Sequence, residues 1–268
     1  MTNIKQRLIQ LLPARFFLLL KGYGWYGNFT TWEDAKKLTN GYEAENILSK
    51  VKESLLKVKN GEAVYERDSV LFDKIEYSWE LLSTLMWVAA QKEGTLNVID
   101  FGGSLGSTYY QNKAFLDKIS QVSWNVVEQP DFVKEGKSSF ENDVLKFYFS
   151  IMECIENTPK SIDIILLSSV LPYLEYPYGI LTEIVSLKFP YVLIDRTGFT
   201  LNGKDRITVQ KVPSSIYRGS YPCWFFGEEK FRHFFESNGY DLVVDFYALG
   251  MANIASTHKG FLYKLKNA

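Results

Sequence analysis

The stretch Val98–Gly106 reads VIDFGGSLG, an apolar run that spills into glycines. Gly102, Gly103 and Gly106 permit positive φ and let a ligand approach the backbone closely. A helix starting behind such a turn leaves its first N–H groups unpaired, which suits a phosphate-like or carboxylate-like group. Asp100 stands just ahead of the turn. Glu128 closes the next apolar run, WNVVEQ, where a carboxylate can accept both hydroxyls of a ribose. The plainer reading of Glu128 is a solvated acid ending a strand.

Other candidates follow along the chain. Ser168 and Ser169 form the polar end of DIILLSSVLPYL, beside the same edge. Asp195 ends YVLID and is the candidate general base, with Arg196 and Thr197 beside it for a charged or hydroxylated acceptor. A surface Asp195–Arg196 network or a turn cap is the plain alternative. In SSIYRGSYPCWFFGEE, the residues Tyr217, Arg218, Tyr221 and Trp224, with Phe225, suit a lid or a sugar-stacking wall, or simply apolar bulk that plugs the sheet. Cys223 reads as a small buried hydrophobe. Tyr65, Glu66, Arg67 and Asp68 form a polar cluster that could cover the site, though capping by Asp68 is the blander reading. Asp163 reads as strand-start solvation, His233 as a helix-face residue, and His258 as part of a turn.

These residues need elements to position them. Residues 1–93 read as a helical region, with helices in TTWEDAKKLT, EAENILSKVKESLLKVKNG and YSWELLSTLMWVAAQKEG. From about residue 94 to 268 apolar runs alternate with amphipathic ones, interrupted by a less regular stretch from Gly198 to Phe226. The alternation predicts an α/β domain: a mostly parallel sheet covered on both faces, with an antiparallel last strand. The turn after the first strand is where such a sheet binds ligands.

The totals set limits. A chain of 268 residues, 46% hydrophobic, can bury a sizeable core. Thirty basic against 31 acidic side chains give no basic excess for a nucleic-acid partner. Two cysteines without metal spacing, and two histidines, argue against a metal site and for a reducing compartment, so a cytoplasmic protein is expected. The apolar segment Leu8–Leu20 is too short to span a bilayer, which takes roughly 20 apolar residues. It reads as a docking helix for the core or a dimer partner. A second reading is peripheral contact of residues 1–21 with the inner membrane surface, with Lys5, Arg7, Arg15 and Lys21 near headgroups. The oligomeric state stays open.

Gly102, Gly103 and Gly106 do not make the G-x-G-x-x-G dinucleotide fingerprint, which disfavours a nicotinamide oxidoreductase. An acidic residue followed by a short glycine turn resembles the S-adenosylmethionine-dependent methyltransferases of the Rossmann-like class I, whose turn runs acidic-x-Gly-x-Gly-x-Gly. Asp100, Gly102 and Gly106 match it, and Ser104 replaces the middle glycine. More narrowly, GEAVYERDSVLFDKIEYSW, DFGGSLGSTYYQN, WNVVEQ, LLSSVLPYL, LIDRTGF and SYPCWFF together resemble an uncharacterised family of bacterial methyltransferases found among surface-polysaccharide genes. The resemblance implies S-adenosyl-L-methionine as cofactor, held by Asp100, Gly102, Gly103, Ser104, Gly106, Glu128, Ser168 and Ser169. It implies a small-molecule or glycan acceptor. A catalytically inactive module of the same fold, docking a glycan-assembly partner or the membrane, is the alternative.

Overall fold

The structure is a computed structural model that describes residues 22–39, 44–67, 69–213, 216 and 219–266. The apolar segment 1–21, Asp68, Tyr217 and Arg218 lie outside the described residues.

The central sheet has seven strands. In chain order they are β4 (Thr95–Phe101), β5 (Gln121–Val127), β6 (Leu145–Tyr148), β7 (Ile164–Ser168), β8 (Tyr191–Thr200), β11 (Tyr240–Tyr247) and β12 (Ser256–Leu265). Across the sheet they run β11-β12-β8-β7-β4-β5-β6. β5, β4, β7, β8 and β6 are mutually parallel, and β12 is antiparallel to both β8 and β11. The order reverses at β4, so the turn after this strand opens into a crevice at the carboxyl edge. This is the Rossmann-like methyltransferase fold, including the expected antiparallel last strand.

Both faces of the parallel strands are covered, and their alternate residues divide between two cores. Val98, Leu166 and Leu193 face one core, packed by Ile47, Val51 and Leu55 of α2 (Ala44–Lys59) and by Leu81, Leu85 and Val88 of α3 (Trp79–Gln91). The same core receives α4 (Ser107–Leu116) and α5 (Pro130–Ser139). Ile99, Ile165, Leu167 and Ile194 face the other core, under α6 (Ile151–Asn157), α7 (Pro177–Ser186) and α8 (Glu228–Ser237). Truncating Leu166 to Ala would cost about 2–5 kcal/mol, because the cavity cannot refill from a rigid sheet. Asp163 is a buried clamp, not a solvated end: its carboxylate accepts the backbone N–H of Asn97 at 2.8 Å and the side-chain amide at 3.1 Å.

Two expectations need correction. The region before residue 94 is not purely helical. It contributes β1 (Gly24–Phe29), the short α1 (Trp32–Lys36, capped by Thr31) and a hairpin of β2 (Tyr65–Arg67) and β3 (Val70–Phe72). The irregular stretch contains strands too: β9 (Arg206–Lys211) and β10 (Ser220–Phe225) join β1 in a second, antiparallel sheet, β1-β9-β10. Its β1–β9 pairing joins strands far apart in the sequence, which no local pattern announces.

Candidate functional site

The glycine turn is shaped by close packing. Gly102 has φ +73°, and a Cβ there would lie 2.3 Å from Val170 Cγ2. A Cβ on Gly103 would lie 2.5 Å from the Asp100 carboxylate. Ser104 takes the left-handed conformation, φ +56°, as a glycine would. Gly106, φ +95°, occupies the N-cap of α4. Asp100 is buried beneath the turn, and Trp124 Nε1 donates to it at 3.1 Å. Burial lifts its pKa to about 7; Glu128 adds to the rise, while the Trp124 bond and Arg196 oppose it. Burial also raises the Glu128 carboxyl, against the backbone N–H groups of Gln129 and Ser104 that donate to it. Ser104 thus ties the turn to the end of β5.

Across the crevice, β7 and β8 supply the other wall. Asp195 and Arg196 together oppose Gly260 of β12, a β-bulge between two interior strands, and Arg196 has φ +47°. Ser168 Oγ donates to Asp195 Oδ2 at 2.9 Å, and Arg196 Nε lies 3.9 Å from the same oxygen. Asp195 Oδ1 is buried without a hydrogen-bond partner. Burial raises the Asp195 pKa, opposed by Arg196 and the Ser168 bond.

These walls enclose a cavity of about 900 Å³. It brings together Asp100, Gly102, Gly103, Ser104, Glu128, Ser168, Ser169, Asp195, Arg196 and Tyr221. Gly106 is behind the wall, as the helix cap. Ser69, Ser104, Ser169 and Arg196 all have positive φ and all line this cavity, so backbone strain collects there. Tyr65, Glu66 and Arg67 of β2 close it from the N-terminal side. Glu66 was overlooked as a structural residue. It is buried, and it accepts the Ser69 N–H and the Ser107 hydroxyl, both at 2.7 Å, so it clasps the hairpin to the start of α4.

A smaller cavity of about 560 Å³ adjoins it, sharing Arg67, Ser169, Tyr173, Arg196, Gln210 and Leu249. Trp224 lines this one, stacked between Trp32 and Phe226, with its Nε1 donating to Leu174 O. Tyr221 packs edge-on against Tyr173. His258 also lines the smaller cavity. It lies within β12 opposite Gly198, not in a turn. No local pattern hints at this, because STHKG is polar enough to pass for a loop. His233 sits on α8, bonded to Ser237. Cys223 is buried, its thiol pushed up to about 12. No group of three or more His, Cys, Asp or Glu among the described residues is placed to hold a metal ion. Nor is any described helix long and apolar enough to cross a membrane.

Strand order and cavity together define a Rossmann-like methyltransferase scaffold with an adjoining second chamber. No protein-family profile and no curated protein matches the chain. Among solved structures, it resembles magnesium protoporphyrin IX methyltransferase from Synechocystis PCC 6803, crystallised with SAM. Identity is 13%, the match covers 70% of this chain and 79% of that one, and the TM-score is 0.45. It also resembles the Burkholderia thailandensis 1,6-didemethyltoxoflavin-N1-methyltransferase with S-adenosylhomocysteine bound (12% identity, 85% and 92% covered, TM-score 0.43). A third is a S-adenosylmethionine-dependent methyltransferase from Clostridium acetobutylicum (8% identity, 72% and 93% covered, TM-score 0.47). Likeness at this level assigns neither substrate nor cofactor here, and the fold rests on its own strand order.

Proposed function

We propose that the chain is an S-adenosylmethionine-dependent methyltransferase acting on an oxygen of a carbohydrate or another small polar acceptor. The observation that carries the reading is the larger cavity, where the Gly102–Ser104 turn, Asp100 and Glu128 meet at the switch point of the sheet.

The residues present fit this cofactor. Its sulfonium and ammonium groups are cationic, and the cavity offers two buried carboxylates, Asp100 and Asp195, one with an oxygen lacking a partner. Glu128 would take the ribose hydroxyls, and the turn's N–H groups the carboxylate. When bound, the cofactor supplies an electrophilic methyl group. The chain's own task is to hold the acceptor oxygen in line, exclude water and receive a proton. Asp195, the sequence's candidate base, lies deep and is engaged with Ser168. We assign it to orienting Ser168 and Arg196 and to balancing positive charge.

Surface-glycan biosynthesis in the cytoplasm, with peripheral membrane contact through residues 1–21, extends this reading on the sequence resemblance alone. Isothermal calorimetry with S-adenosylhomocysteine tests the core of it. Binding is expected in the wild type, weakened about 10- to 100-fold in Glu128→Ala as charged hydrogen bonds to the ribose are lost. Wild-type protein that binds neither this nucleoside nor S-adenosylmethionine sinks the reading in favour of an inactive scaffold.

A further inference from the structure

We infer that the second sheet carries a sugar seat where the two cavities meet: the rung Trp25–Gln210–Tyr221, which takes a neutral pyranose ring by its hydroxyls and its C–H face. That the sugar is the methyl acceptor rests on the methyl-transfer reading; the binding itself does not.

Register comes first. Gln210 of β9 pairs with Trp25 of β1 on one side and with Tyr221 of β10 on the other. Residues directly opposite each other in antiparallel strands project to the same face of the sheet, with Cβ atoms about 5 Å apart. The rung therefore presents ring, amide and ring in a row. All three line the cavities: Trp25 the smaller, Tyr221 the larger and Gln210 both. A ring hydroxyl seated on Gln210 thus borders the crevice where the methyl donor is proposed to lie. The smaller cavity, about 560 Å³, has room for the rest of a monosaccharide.

The amide is set to donate. Tyr173 Oη donates to Gln210 Oε1 at 2.9 Å, and no other described residue bonds this side chain, so both Nε2 hydrogens are left to a ligand. Tyr173 also meets Tyr221 edge-on, with ring centroids 5.2 Å apart, so one residue fixes the amide and a flanking ring. On the other flank, Trp25 packs edge-on with Phe225 at 6.0 Å, and its Nε1 donates to Cys223 Sγ at 3.3 Å. With its one N–H engaged there, Trp25 offers a ligand only ring carbon. Rungs of a paired sheet braced in this way lose little freedom when a ligand binds.

This chemistry selects its occupant. Amide donors answer hydroxyl oxygens, and ring carbon answers C–H groups. A pyranose shows both at once, with hydroxyls round its edge and C–H groups on its face. A flat aromatic molecule would use the rings and leave the amide unpaired. Amide and rings act through dipole and surface, so a neutral sugar satisfies them.

Saturation-transfer difference NMR reads the seat directly. The probes are the methyl pyranosides of D-glucose, D-galactose, D-mannose and L-rhamnose, with cyclohexanemethanol as a six-membered ring that lacks ring hydroxyls. At least one glycoside should receive saturation on its ring C–H protons from wild-type protein, and cyclohexanemethanol should receive less. Gln210→Met keeps the length of the side chain and removes the amide. It should weaken the bound glycoside about 3- to 10-fold, the effect of one or two neutral hydrogen bonds, with circular dichroism as the check on folding. Gln210→Asn, which withdraws the amide by one methylene, is the second variant and should show the same loss. No transfer to any of the glycosides, equal transfer to cyclohexanemethanol, or full affinity in a folded Gln210 variant overturns the seat. Calorimetry with S-adenosylhomocysteine runs alongside: its failure in the wild type removes the methyl-transfer reading, while the NMR still judges the seat. Where that nucleoside binds, methyl transfer from S-adenosylmethionine to the bound glycoside is followed by mass spectrometry. Gln210→Met should then raise KM by the same factor, with the loss in KM and not in kcat. Wild-type protein that binds the glycoside but transfers no methyl group to it overturns the acceptor role.

Discussion

Asp100→Asn should stabilise the free protein, increasingly so as pH rises. The carboxyl is buried under the glycine turn, and burial raises its pKa from 3.8 to about 7. Asparagine keeps an oxygen for the Trp124 Nε1 bond at 3.1 Å but cannot ionise. The sign follows from linkage. Because the folded pKa lies above the unfolded one, the native state holds its proton longer, and its stability relative to a neutral isostere is lost as pH climbs from about 4 through 7. With pKa values of 3.8 unfolded and about 7 folded, that deficit grows from about 0.6 kcal/mol at pH 4 to about 4 kcal/mol at pH 8. Urea unfolding of wild type and variant at pH 5, 6.5 and 8 measures the gap. It should widen by about 2–3 kcal/mol over that range. The same variant should bind S-adenosylhomocysteine or S-adenosylmethionine more weakly, since a buried negative charge facing a cation is gone. A gap independent of pH, or an Asn variant less stable than wild type at pH 8, refutes the argument that desolvation governs this group.

Four further outcomes follow from the same geometry. Gly102→Ala forces a Cβ to within 2.3 Å of Val170 at φ +73°, and should lower stability by several kcal/mol, on the order of an overpacked core; adding Val170→Ala should restore part of the loss but not the roughly 1–2 kcal/mol of left-handed strain, as read by thermal melts. Ser104→Gly should raise stability by about 1 kcal/mol and leave S-adenosylhomocysteine binding intact, since only the backbone N–H of residue 104 meets Glu128. Glu66→Gln removes the charge from the clasp on Ser69 and Ser107 and should cost about 1–3 kcal/mol, measured by urea unfolding. Cys154 and Cys223, with thiols at about 11 and about 12, should resist a maleimide at pH 8 until denaturant is added.

The central sheet was legible because its signal is local. Each buried strand, from NVIDF to YVLID, is a short apolar run set between helices of different period, and each falls on a strand of the central sheet. Asp100, Gly102, Ser104 and Glu128 come together in one cavity for the same reason, since strand ends and glycine turns fall at predictable places. The second sheet was not. β1 and β10 are short and carry glycine or proline, and β1 reaches β9 only through contacts that span most of the chain. His258 was hidden because side chains of β12 meet a cavity at one end and a core at the other, so its polar start resembles a loop. Glu66 was hidden because a buried carboxylate and an exposed capping residue look alike in YERDSV. Ser104 departs from the glycine pattern in chemistry but not in conformation, which only φ reveals.

The clasp between the chain's ends has a consequence for how the molecule is made. The Asn253 side chain accepts the backbone N–H of Trp25 and donates to the Trp25 carbonyl, imitating a strand partner across 228 residues. Trp25 in turn caps Cys223 and lines the chamber that His258 completes. During synthesis, the turn, β4 to β8 and the larger cavity's main wall are available once residue 200 has left the ribosome. The smaller chamber must wait for residues 248–258 to reach Trp25. Contacts this distant form slowly and late. A nascent chain can thus form the wall of its larger cavity well before the smaller chamber closes.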